Sequence, residues 1–329
     1  MRDVLTEEKK NIALDAAMKE FDWAIQQNKM VEAAKNSYRA EGLSEKQRQQ
    51  VALGQKELLD KNDAIKIEIR KDLAAAISAP NVKPCDDKYK RVMFAGPYGS
   101  EASDLMVACQ KDNGIDNQEI PGAIKGLLNA TKDGLVVDMD ALRKKVPGFD
   151  DLFKDKPDVA SSVVRSVVSA WTWAYYELAD KANVNIWSNE SMASGVYRDP
   201  KWLDEKLKNK PMNVIAVLPP AEGRLDALQE GAAALKAKTG AVIPPEQVAV
   251  SLDVIEKTAL TNMKTYNWPG FVLTGRIVNG FEIAASNTPA SKLSGQPSLK
   301  VQKPEELQEF SGIPEQGRGA GTQANPLQF

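Results

Sequence analysis

The chain has 329 residues, 43 % hydrophobic and 27 % charged, a balance that suits a globular core and not a disordered or fibrous chain. A net charge of −2 and a pI near 5.6 give no clustered basic surface for nucleic acid, and no run reaches the ~18 apolar residues of a membrane span. Histidine is absent, which removes Ser-His-Asp and Cys-His catalysis and His-ligated metals, and leaves proton transfer to Asp, Glu, Lys, Tyr or Cys.

Residues 1–85 read as a helical region. Thr6-Glu-Glu-Lys opens a helix with acidic residues in its first turn, and Ile12, Leu14, Ala17, Phe21, Ala24 and Ile25 give it a broad apolar face. Ser44-Glu-Lys-Gln has the form of a capping box and starts a second helix; a third covers roughly 62–77. The expected use of these helices is a bundle or a layer packed on the main domain, with a partner-binding arm as the alternative. Ser78-Ala-Pro-Asn-Val-Lys-Pro-Cys is a turn-rich linker.

After the linker, strands and helices alternate. Strands are predicted at 91–95, 134–138, 184–187 and 212–218, with the last strands between 270 and 285. Helices are predicted from 103, over 158–182 (Val163, Val164, Val167, Val168, Trp171 and Tyr175 inward), and near 200–208, 220–238 and 245–264. Strands spaced in this way form a parallel sheet covered on both faces, an α/β architecture over 86–286. Residues 287–329 are rich in Pro, Gly, Ser and Gln and read as an extended or disordered tail. Cys85 and Cys109 make no metal-binding spacing and read as reduced thiols; with no signal-peptide pattern, the expected location is cytoplasmic, including delivery into a target cell.

Two segments carry chemistry. Gly96-Pro-Tyr-Gly-Ser-Glu-Ala-Ser103 follows a strand and opens a helix, the place of a phosphate-binding loop of pattern G-x-x-x-x-G-K-[ST]. Gly96, Pro97, Tyr98, Gly99 and Ser100 fit its first half, and Ser103 fits the hydroxyl that binds Mg²⁺. Glu101 replaces its second glycine and Ala102 its lysine. Taken alone, such a turn is equally at home as a structural element of a doubly wound fold. The second segment, Leu135-Val-Val-Asp-Met-Asp140, ends a strand in two carboxylates. Asp140 is placed to accept a hydroxyl proton, with Asp138 to orient it, or either residue simply caps the following helix. Arg198 and Arg224 are further candidates for phosphate-facing charge, or ordinary surface or salt-bridge arginines. Trp171, Trp173, Tyr175 and Tyr176 read as core packing.

The order of strand, GPxGS, helix and then V-D-x-D with Pro147-Gly-Phe-Asp-Asp-Leu152 resembles the zeta-toxin family of P-loop kinases. Met212–Pro220, the lid-like Ala237-Lys-Thr-Gly-Ala-Val-Ile-Pro-Pro-Glu-Gln-Val248 and Phe271–Ser286 extend the resemblance over about 88–286. It implies a P-loop kinase-like fold that phosphorylates a hydroxyl of a nucleotide or nucleotide sugar such as UDP-N-acetylglucosamine, using ATP or GTP with Mg²⁺. It further implies Asp140 as base, Ser103 on Mg²⁺, the backbone of residues 98–102 around a phosphate, and Asn189 or Glu190 near the substrate. An antitoxin, immunity protein or chaperone is the implied partner. Ala102, Glu101 and Ala241 depart from the pattern where a lysine, a glycine and a lid arginine are expected. Each missing cation removes about 3–4 kcal/mol of transition-state stabilisation, so the expected kinase is inactive or strongly impaired. The alternative is a pseudokinase that acts by binding a partner.

Overall fold

The computed structural model describes residues 5–33, 44–190, 212–239, scattered positions between 243 and 268, and residues 269–288, 298–303 and 307. The helix expected at 200–208, Arg198 and Ala241 lie outside the described residues.

Three helices open the chain: α1 (Glu7–Ala33), α2 (Glu45–Asp60) and α3 (Asn62–Ile77). The capping box read at Ser44 is formed, with Ser44 and Gln47 exchanging side chain-to-backbone hydrogen bonds. Leu14, Ala17, Phe21 and Ala24 are buried, whereas Ile12 is 59 % exposed and faces away from the core. That correction is a matter of phase: Phe21, Ala17 and Leu14 follow the 3–4 spacing, and Ile12 falls outside the stripe. These helices pack along the long helix that precedes β3, and Phe21, Ile69, Leu73, Trp171 and Ile186 belong to one continuous core. Asp72 of α3 accepts from the Tyr175 hydroxyl at 2.6 Å and pairs with Lys145, tying three helices together.

The remaining elements are β1 (Arg91–Ala95), α4 (Ala102–Gln110), α5 (Gly114–Asn117), α6 (Gly122–Thr131), β2 (Gly134–Val137), α7 (Met139–Lys145), α8 (Phe149–Asp155), α9 (Pro157–Ala182), β3 (Asn185–Glu190), β4 (Met212–Leu218), α10 (Arg224–Thr239), β5 (Gly270–Arg276), β6 (Gly280–Thr288) and β7 (Ser298–Val301). The described positions between 245 and 263 are helical. Among the described residues, seven strands form one sheet in the order β2-β3-β1-β4-β5-β6-β7. The first five are parallel; β6 and β7 add antiparallel at one edge. The expected α/β, P-loop kinase-like architecture of a largely parallel sheet flanked by helices is thus the one observed. The sheet extends past residue 286 into the expected tail through β7.

Both faces are covered, so β1 and β4 are buried at every position. Val92, Phe94, Ile215 and Val217 pack under α4–α6, while Met93, Ala95, Val214 and Ala216 pack under α10 and the helical stretch at 245–263. The chain leaves β1 toward the β2 edge and leaves β3 toward the opposite side. That reversal falls between the C-terminal ends of these two neighbours, the crevice position at which open α/β sheets hold ligands.

Candidate functional site

The crevice is built from three strand ends. β1 delivers the loop 96–101, β2 delivers Asp138 and Asp140, and β3 delivers Asn189 and Glu190. Asn189, 7 % exposed, joins all three. Its Nδ2 donates to Ser103 Oγ at 2.7 Å and to Asp138 Oδ1 at 3.1 Å, and its Oδ1 accepts from the Met139 N–H at 2.9 Å. Asp138 caps α7, accepting from the Asp140 N–H at 2.9 Å. The two sequence readings of the carboxylate pair therefore divide: Asp138 is the cap, and Asp140 is left in the first helical turn at the crevice.

Asp140 is 9 % exposed and paired with Arg143 one turn on. Burial raises its pKa above the ordinary aspartate value and the Asp138 carboxylate adds to the rise, against Arg143 and Lys238, which lower it. A buried carboxylate pushed upward is a better proton acceptor near neutral pH than a solvated one. Lys238, at the end of α10, pairs with Asp104 in the first turn of α4 at 3.4 Å. Glu190 accepts from the Tyr176 hydroxyl, which also contacts Ser188 Oγ at 2.7 Å. Burial first, then the Glu190 charge, push the Tyr176 phenol well above its ordinary value, so it stays a neutral donor.

The loop is folded differently from a phosphate cradle. Ser100 N–H closes a turn onto Pro97 O at 3.0 Å, with Gly99 at a φ of 85°. The Tyr98 N–H donates to Ser251 Oγ at 3.0 Å. The space beside Gly96 is filled by the Ser100 side chain. A Cβ on Gly99 would overlap the backbone of α10 at Leu228, and one on Gly231 would overlap the Gly99 carbonyl, so the loop lies directly on that helix. Ala102, the first residue of α4, is buried in the core. Glu101 turns its carboxylate out of the loop, accepting from Ile277 N–H at 2.6 Å and Arg276 Nε at 3.0 Å. A carboxylate at this position would repel a phosphate in the loop, but here its charge is paired with Arg276 outside it.

These contacts bear on the implied nucleotide. Two loop amides that would wrap a phosphate already have acceptors, and no lysine stands at 102, so the loop as folded does not fit a nucleotide phosphate. Ser103 Oγ accepts from Asn189, which holds it toward the crevice. Among the described residues no three His, Cys, Asp or Glu side chains cluster to hold a metal ion. A Mg²⁺ ion on Ser103 would need most of its oxygens from a ligand and water.

Of the readings open for Arg224, the surface arginine alone is corrected. It is 3 % exposed, not a surface arginine, and its Nε donates to Pro219 O at 2.7 Å, bracing the turn between β4 and α10. Sequence reasoning missed Ser251, Arg276 and Tyr176 as neighbours of the site. Their contacts span 153, 175 and 14 residues, and only Tyr176 stands in a pattern that could have been noticed, opposite the polar end of β3.

No protein-family model and no curated protein matches the sequence. A solved structure from the molecular and structural characterization of the PezAT chromosomal toxin–antitoxin system of the human pathogen Streptococcus pneumoniae is similar to this chain. The likeness covers 75 % of this chain and 93 % of that one, at 11 % identity and a TM-score of 0.41. At that level it assigns no role to any residue here. No helix among the described residues is long and apolar enough to cross a membrane.

Proposed function

We propose that this chain is a zeta-toxin-like protein whose surviving site is the acceptor side of the crevice. Asp138, Asp140, Asn189 and Glu190 bind the hydroxyl groups of a nucleotide or nucleotide sugar, and phosphoryl transfer from ATP or GTP is lost or strongly impaired. The supporting observation is Asn189, which holds Ser103, Asp138 and the start of α7 in one hydrogen-bonded unit and leaves Asp140 at the crevice with a raised pKa. The occupied loop amides favour binding over catalysis. The antitoxin or immunity partner implied by the family resemblance belongs to this reading and would act on a protein that recognises a ligand without turning it over.

Calorimetric titration with UDP-N-acetylglucosamine, Mg-ATP and Mg-GTP tests it. The expected result is binding of the uridine sugar, weakened about tenfold or more by Asn189→Ala, with little heat from either triphosphate. No binding of any of the three to the folded protein refutes the reading.

A further inference from the structure

The loop between β1 and α4 owes its shape to contacts made far from it in sequence. Glu101 sits at its last position, where a phosphate cradle has glycine and an inward-facing amide. Here the side chain reaches the turn between β5 and β6 and takes two donors in fork geometry, the Ile277 N–H and the Arg276 guanidinium. Its side chain is 23 % exposed against 40 % for Arg276, so the pair is shielded on the carboxylate side and solvated on the other. The turn is itself fixed: Asn279 N–H donates to Arg276 O, and Phe281 N–H donates to Glu119 O at 2.8 Å. Arg276 also lines a cavity of about 590 Å³ with Glu119, Pro220, Thr274 and Phe281.

A carboxylate bound in this way offers a guanidinium and a backbone amide what an anionic ligand would offer them. We propose that Glu101 is an internal latch: it occupies Arg276 and Ile277 and, with Ser251 on Tyr98, holds the loop shut as a structural joint that takes no phosphate. The latch goes beyond the ligand reading above and does not depend on it. Its chief consequence is that restoring the missing lysine alone leaves the loop closed.

The Ile277 N–H reports the latch directly, because Glu101 is its acceptor. Amide hydrogen exchange is measured on the wild type, Glu101→Gly and Glu101→Gln. In the wild type this amide is expected to be protected, with exchange roughly tenfold or more faster in Glu101→Gly and an intermediate rate in Glu101→Gln, which keeps a neutral acceptor. In parallel, pyrophosphate binding is measured on the wild type, Ala102→Lys and Glu101→Gly/Ala102→Lys. The wild type and Ala102→Lys are expected to be equally weak, and the double variant to gain at least tenfold. Unchanged Ile277 exchange in Glu101→Gly, or Ala102→Lys gaining as much as the double variant, overturns the proposal. Should Glu101→Gly fail to fold, Arg276→Gln/Ala102→Lys loosens the same latch, and pyrophosphate affinity no better than in Ala102→Lys is then the refuting result. Failure of the crevice to bind UDP-N-acetylglucosamine would sink the ligand reading and leave the Ile277 measurement untouched.

Discussion

Asn189→Ala should be among the most damaging single changes in the crevice. Three hydrogen bonds disappear, at 2.7, 3.1 and 2.9 Å, and one of them goes to the Asp138 carboxylate. Neutral bonds contribute about 1 kcal/mol each and a bond to a charged group about 1.5–3 kcal/mol. With Met139 N–H left without its acceptor at a site where Asn189 is 7 % exposed, the sum is about 3.5–5 kcal/mol. Urea unfolding should show the midpoint fall at unchanged slope, and thermal unfolding a drop of roughly 5–10 °C. Asn189→Asp separates the polar from the steric contribution. It keeps an oxygen for Met139 but replaces both donors with a carboxylate oxygen about 3 Å from Asp138, a repulsion of order 5 kcal/mol at an effective dielectric of ~20. That new carboxyl would have its folded-state pKa raised, by burial and by Asp138. Native stability is then retained at low pH, where the proton also restores a donor, and is lost as pH rises above about 4. The refuting result is a loss in Asn189→Ala below 1 kcal/mol, or an Asn189→Asp penalty that does not grow with pH.

Asp140 carries a raised pKa, so its contribution to stability is fully present below the ordinary aspartate value near 4 and declines as pH rises through the folded value. The stability of wild type relative to Asp140→Asn should therefore fall with pH in urea unfolding, and a rise would mean that the Arg143 pair outweighs burial. Gly231→Ala drives a methyl into the Gly99 carbonyl and should cost about 1–3 kcal/mol, whereas Gly126→Ala in α6 meets open space and should gain about 0.5–1 kcal/mol; equal effects in denaturation would refute the close contact of α10 with the loop. Burial pushes the Cys109 thiol up to about 12, while Cys85 is half-buried. Iodoacetamide on the native protein at pH 8 should modify Cys85 first and Cys109 only on unfolding, and mass spectrometry showing equal native rates would refute it.

The elements most legible in the sequence are those whose signals are local. The third helix is predicted at 62–77 and observed as α3 over Asn62–Ile77, and Ser44 caps α2 as its pattern requires. The apolar runs at 91–95 and 212–218 became β1 and β4 because they are buried on both faces. The third strand is predicted to end at 187, yet β3 runs to Glu190. Its last residues are polar because they enter the crevice, so hydrophobic patterning stops where the site begins. Helices α5 and α6 have no counterpart in the prediction; Gly114, Pro121, Gly122 and Gly126 obscure the helical pattern there. The candidate residues at the strand ends were legible because parallel strands deliver their C-terminal residues to one edge. Their partners were not: Ser251 and Arg276 meet the loop across 153 and 175 residues.

Ala102 alone does not account for the state of the loop. An isolated lysine-to-alanine change in a working cradle would leave the loop amides facing inward and the last glycine in place. Here the departures are matched across separate segments. Glu101 has Arg276 and Ile277 as partners, Tyr98 has Ser251, and Gly99 has Gly231 pressed against it from α10. Each contact costs something to form and is stabilising only if the loop stays closed, so together they favour one closed arrangement. A loop maintained by four residues outside the phosphate pattern is a structural joint in its own right. The strand ends beside it are tied together by Asn189 through Ser103, Asp138 and Met139, a set of contacts separate from those that hold the loop.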